Sequence, residues 1–157
     1  MASSTSKKVL IRRFDREPVA GFVNPQCWQQ DAGLEVISQQ GVLMLIPYAD
    51  VKAVHFVRDF TESPAEGPVF NTRPKMHGLW VRLRFRDGEL MDGLLPNNLL
   101  QVEPHGFTVV PPNPTSSQQR VFVPRTALDE VTVLGVVGSP LKQAAKPKPR
   151  EQISLFD

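Results

Sequence analysis

Several arginines stand where they could contact phosphate. Arg82, Arg84 and Arg86 alternate with Val81, Leu83 and Phe85, the period-two pattern that sends every second side chain to one face of a strand. Arg12 and Arg13, with Lys8, occupy a similar run near the start of the chain. Guanidinium groups in a row suit the phosphates of a nucleic acid. The same pattern also describes an ordinary solvated strand face. The first run carries Leu10 and Phe14 where the second has Arg82 and Arg86, so the row is not repeated. Net charge is only +2, which confines any nucleic-acid surface to a local patch.

The other reactive side chains do not combine. Cys27 is the single cysteine, with no histidine or lysine next to it, and reads as an inert thiol. His55, His77 and His105 have no cysteine or carboxylate at metal-ligand spacing. Neither a glycine-rich phosphate loop nor a nucleophile motif is present. Trp28 and Trp80 could stack on bases, or pack over the ends of a small β-fold. The expectation is a protein that is not an enzyme and holds no metal or cofactor. With no apolar run of membrane-helix length and no signal-peptide pattern, it is expected in the cytoplasm, away from membranes.

Elements must position these groups, and 15 prolines in 157 residues point to short strands joined by irregular loops. Leu79 to Gly93 reads as a β-hairpin turning at Asp87-Gly88, with a type I′ turn. Gly93 marks a sharp bend. Val42 to Ile46 is a continuous apolar run, as in a strand buried on both faces. Val9 to Val23 aligns with Val81 to Leu95 without a gap. Leu34 to Ile37 aligns with Phe107 to Val110, Leu45-Ile46-Pro47 with Phe122-Val123-Pro124, and Val51, Val54 and Phe56 with Leu128, Val131 and Val133. An internal duplication follows. Arg16 replaces Gly88 in the first copy, so its turn should be looser.

The order strand, turn, strand with a central glycine, loop, two strands, short connection and final strand resembles the Sm-like family of small five-stranded barrels, which includes Hfq-type RNA chaperones. The segments that carry the resemblance are KVLIRRFDREPVAGFV with LMLIPYADVKAVHFV, and VRLRFRDGELMDGLL with VFVPRTALDEVTVL. The family's RNA-pocket positions hold Gln26 to Gln30 and Asn97 to Leu100, then Pro47-Tyr48 and Pro124-Arg125. Those do not reproduce the pocket, and none of its residues is carried over. The resemblance implies an all-β chain with two tandem Sm-like barrels, at 8–60 and 78–138. A Pro-rich linker at 61–77 would join them, with disordered tails at 1–7 and 139–157.

The C-terminal tail ends in Gln152-Ile153-Ser154-Leu155-Phe156. This is similar to the motif by which bacterial replication and repair proteins dock on the DNA polymerase sliding clamp, with Ile153 where leucine is usual. Gln152 would hydrogen-bond at a groove entrance while Leu155 and Phe156 fill an apolar pocket. The alternative is an extra strand folded back on the second half. Together these readings imply a non-enzymatic adaptor of nucleic-acid metabolism whose partners are the sliding clamp and RNA or DNA. A monomer or dimer is expected in preference to a ring. The alternatives are a ring-forming RNA-binding regulator of the Hfq type, and a protein-interaction module with no nucleic-acid partner.

Overall fold

Alternating apolar positions set the strands, and prolines, glycines and polar clusters separate them. The computed structural model describes residues 6–61, 69–70, 73–112 and 120–138. The strands are β1 (Lys7–Arg13), β2 (Arg16–Val23), β3 (Leu34–Ser38), β4 (Leu43–Ile46), β5 (Val51–Phe56), β6 (Gly78–Phe85), β7 (Leu90–Leu95), β8 (Gly106–Val109), β9 (Arg120–Pro124) and β10 (Leu128–Val137). Short 3-10 turns at Tyr48–Asp50 and Arg125–Ala127 lead into β5 and β10. The architecture is all-β, as expected.

The strands form a seven-stranded sheet in the order β4-β3-β2-β1-β5-β9-β8 and a three-stranded sheet in the order β10-β6-β7. Neither closes into a barrel, which corrects the expectation of two separate closed barrels. Two causes are visible. β9 takes its second partner from the first half of the chain, pairing with β5 through Val54 opposite Phe122. β7 stops at Leu95 before Pro96, which has no N–H to donate, and meets the strand after it only at the Leu94–Val110 bridge.

The aligned segments nevertheless share their registers. Val9 lies opposite Gly21 and Phe56, and its counterpart Val81 lies opposite Gly93 and Val133. Leu34 opposite Ile46 recurs as Phe107 opposite Val123. The central glycines have a steric cause. A Cβ on Gly93 would lie 2.6 Å from Val109 Cβ, and one on Gly21 would lie 2.6 Å from the Ile37 carbonyl oxygen. Each glycine lets its strand pass close under the next.

The two apolar cores are exchanged at the join. Phe122 of β9 is buried among Val9, Val23, Val36 and Val54, and Ala53 of β5 is buried among Val81, Val109 and Val121. Trp28 closes the first core, edge-on to Phe122 at 5.2 Å and to Phe56 at 5.5 Å. In the second half Phe70 packs edge-on against Trp80 at 6.1 Å.

Three local expectations are corrected. Asp87 does not take the positive φ of a type I′ turn; Gly88 alone does so, at 95°. Gly88 N–H donates to Phe85 O (2.9 Å) and Phe85 N–H to Glu89 O (2.8 Å), giving a three-residue connection. Asp87 is held there because its Oδ1 accepts from the Glu89 N–H at 3.1 Å. The first turn is tighter, not looser: Arg13 pairs with Arg16 across Phe14-Asp15. Asp15 reaches φ 58°, a conformation that a short polar side chain tolerates better than most. β4 is not buried on both faces. It is an edge strand, with Ile46 buried and Leu43 and Leu45 exposed.

Candidate functional site

The turns of the two equivalent hairpins, β1–β2 and β6–β7, come together over the start of β5. Between them is a crevice of about 560 Å³, lined by Arg12, Arg13, Arg16, Lys52 and Arg86 with Phe14, Asp15, Pro18 and Asp87. Arg12 and Arg13 arrive from the end of β1, Arg16 from the start of β2, Lys52 from β5, and Arg86 from the second turn. The crevice thus spans the join of the two halves, where Arg86 of the second donates to Ala49 O of the first.

Its floor is an ion network. Lys52 is buried, and its ammonium donates to Asp87 Oδ2 at 2.7 Å and also to Glu89 Oε1. The latter oxygen accepts from Arg12 Nη2 at 3.1 Å as well. Burial alone would raise the Asp87 and Glu89 carboxyls. The hydrogen bonds and charge of Lys52, joined at Glu89 by Arg12, outweigh it and hold both below the ordinary carboxylate range. The rim keeps its charge. Arg13 donates to Glu17 O (2.7 and 2.9 Å), and Arg86 donates to Thr126 O (3.0 Å) and Ala49 O (2.9 Å). Carbonyls fix a guanidinium without neutralising it. The Arg86 guanidinium also lies over the Phe14 ring, 3.9 Å from its centroid.

The expected row Arg82, Arg84, Arg86 is divided by the fold. Arg82 makes a two-pronged bond to Asp92, at 2.7 and 3.0 Å. Asp92 is fully buried and also accepts from the Phe70 N–H (3.0 Å) and Trp80 Nε1 (3.4 Å). Burial would raise its carboxyl; these bonds hold it below the usual range. Arg84 faces Glu130 at 3.5 Å. Only Arg86 joins Arg12 and Arg13. Lys8 lies at the far end of β1, in a second cationic crevice of about 420 Å³ with Lys7, Arg58, Arg120 and Glu103. The tail motif, Gln152 to Phe156, lies outside the described residues.

Lys52 was missed from sequence, and His55 was weighed there only as a metal ligand. Both sit in an apolar strand, VKAVHF, where their neighbours suggest only packing. His55 is buried, and neither ring nitrogen has a hydrogen-bond partner among the described residues. Burial lowers its pKa to about 4, helped by the Arg12 charge and opposed by Glu89. Among the described residues no acidic or nucleophilic side chain is in a bonding position to this imidazole. Among the described residues no group of histidines, cysteines and carboxylates could hold a metal ion, and no helix is long and apolar enough to cross a membrane. The arrangement can do one thing well, which is to present positive charge on fixed guanidinium groups to an anion.

The profile of a protein family, described as "Family of unknown function (DUF6982)", matches residues 5–135. The chain belongs to that family. No curated protein matches the chain, and no solved structure does.

Proposed function

We propose that the protein is a non-enzymatic adaptor of nucleic-acid metabolism. Its crevice holds the phosphate backbone of a single strand, and its C-terminal motif tethers it to the DNA sliding clamp. The observation that carries the first half is the rim of Arg13, Arg16 and Arg86, which bonds to no carboxylate among the described residues while the network beneath uses up Lys52, Asp87 and Glu89. Phosphate oxygens are the anions for which a fork of guanidinium donors is best suited. The recurring registers support reading each half as an Sm-like unit. The clamp half rests on the residue types of Gln152, Ile153, Ser154, Leu155 and Phe156.

Fluorescence anisotropy with a labelled single-stranded DNA tests the crevice. Three phosphate contacts predict a slope of log K against log salt of about −2. Arg13→Ala and Arg16→Ala should each weaken binding and reduce that slope by about 0.7. Binding that is indifferent to salt and to both substitutions contradicts the reading. A clear preference for RNA of the same sequence would move the function to RNA regulation. For the tail, a peptide spanning Lys148 to Asp157 should bind the clamp in calorimetry with a Kd of roughly micromolar order. Leu155→Ala and Phe156→Ala should each remove most of that binding.

A further inference from the structure

The packing around Phe122 has a counterpart in the second half that lacks the phenylalanine. In the first half Phe122 is buried among Val9, Val23, Val36 and Val54. The residues aligned with those four, Val81, Leu95, Val109 and Val131, line an apolar cavity of about 540 Å³. The residue aligned with Phe122 is Leu45, which lies in β4, is 52% exposed and takes no part in that lining. Apolar side chains also surround the mouth: Leu99 is 79% exposed, Val102 43% and Val133 57%. An apolar opening of this kind gains free energy when an apolar segment covers it.

The chain itself leads back to this mouth. Met76 and His77 belong to the lining. Val137, the last residue of β10, lies opposite Gly78, and a Cβ on Gly138 would lie 2.6 Å from the Met76 carbonyl oxygen. The segment 139–157 therefore starts at the lip of the cavity. It carries Ile153, Leu155 and Phe156 near its end, with Glu151 and Asp157 to either side. The stretch from Gly138 to Phe156 can span up to about 60 Å, ample to turn and return to the lip. Charge agrees as well. Arg120 is part of the lining and is opposite in sign to Glu151 and Asp157. The carboxylate of the lining, Glu103, already accepts from Gln29 Nε2 at 3.0 Å and Thr108 Oγ1 at 2.6 Å.

We propose that the tip of the chain, Ile153 to Phe156, docks in this cavity of its own second half, with Phe156 taking the place that Phe122 has in the first. The docked tip is withheld from any partner. Docking itself does not depend on what the tail binds elsewhere; the withholding rests on the tail reading given above. A tip tethered at the lip is at an effective concentration of millimolar order. Against that competition the full chain should bind the clamp about ten- to a hundredfold more weakly than the free peptide Lys148 to Asp157.

Hydrogen exchange on the full chain tests the docking without a clamp. Residues 153–156 should be protected, equally at low and high protein concentration, and Phe156→Ala should abolish the protection. Methyl resonances of Val109 and Val131 should shift with the same substitution. Val133→Glu, at the exposed mouth, should release the tip and bring clamp binding by the full chain up to that of the peptide. A second measurement leaves the apolar residues of the tip intact. With Cys27→Ser, Val102→Cys and Asp157→Cys in one chain, mild oxidation at high dilution should link the two new cysteines within a single chain. Free exchange of 153–156 in the parent, or no linkage, overturns the proposal. So does protection that grows with concentration or linkage between chains, either of which makes a second copy the occupant. Protection in a chain whose peptide ignores the clamp upholds the docking and overturns the clamp reading instead.

Discussion

His55 shows how burial alone can write a pH dependence into the fold. Its ordinary pKa is 6.5, and burial beside Arg12 lowers it to about 4. The folded protein therefore keeps it neutral, while the unfolded chain takes up a proton below 6.5. Stability is complete above that value and is lost as the pH falls from 6.5 towards 4, by about 3 kcal/mol in total. Urea melts at pH 7 and pH 4.5 should show this loss, and His55→Leu should remove most of it. Carboxylates act in a separate and lower window. The depressed Asp87, Glu89 and Asp92 contribute stability above the ordinary carboxylate range and lose it as the pH falls through their own lowered values. Asp92→Ala should cost about 2–4 kcal/mol at neutral pH, because it strips the Phe70 N–H and Trp80 Nε1 of their acceptor. Half-exposed Arg82 can turn to water, so little of that cost comes from its charge.

At the scale of the element, the two hairpins were readable and their surroundings were not. Alternation in Val81 to Phe85 and the glycines at 21 and 93 located both hairpins and their aligned registers. Their close approach gives a direct expectation: Gly93→Val places a branched side chain where Val109 already stands at 2.6 Å, and should cost at least about 1–3 kcal/mol in a thermal or urea melt. Gly88→Ala meets open space but keeps φ at 95°, and should cost only about 1 kcal/mol. The run Val42 to Ile46 misled for a physical reason. Continuous apolar sequence implies burial of both faces, but it does not say whether the covering surface belongs to the same chain. The crevice was half readable as well. Arg12, Arg13 and Arg86 stood out by charge. Lys52 is hidden in an apolar strand, and its partners Asp87 and Glu89 are 35 and 37 residues away. Nothing local in the sequence links them, because the β5–β9 pairing that does so is a long-range event. For the same reason the strand parity that aligned Arg82 and Arg84 with Arg86 could not show that Asp92 and Glu130 would meet them first.

The molecule as a whole is organised by one junction. The β5–β9 pairing merges the halves, exchanges Phe122 and Ala53 between their cores, and brings two turns together to make the cationic crevice. Function, on this account, needs the crevice and the tail in the same chain, with the Lys-Pro segment setting reach and not affinity. The direct measurement uses sliding clamp fixed to a surface, the full-length protein passed over it, and then a labelled single-stranded DNA. The account predicts that the clamp retains DNA only in the presence of the protein. Retention should disappear both with Phe156→Ala, which frees the tail, and with the Arg13→Ala, Arg16→Ala double variant, which removes two of the three rim charges. Equal retention with Phe156→Ala and with the parent, or no DNA retained by a clamp already loaded with the parent, would contradict it.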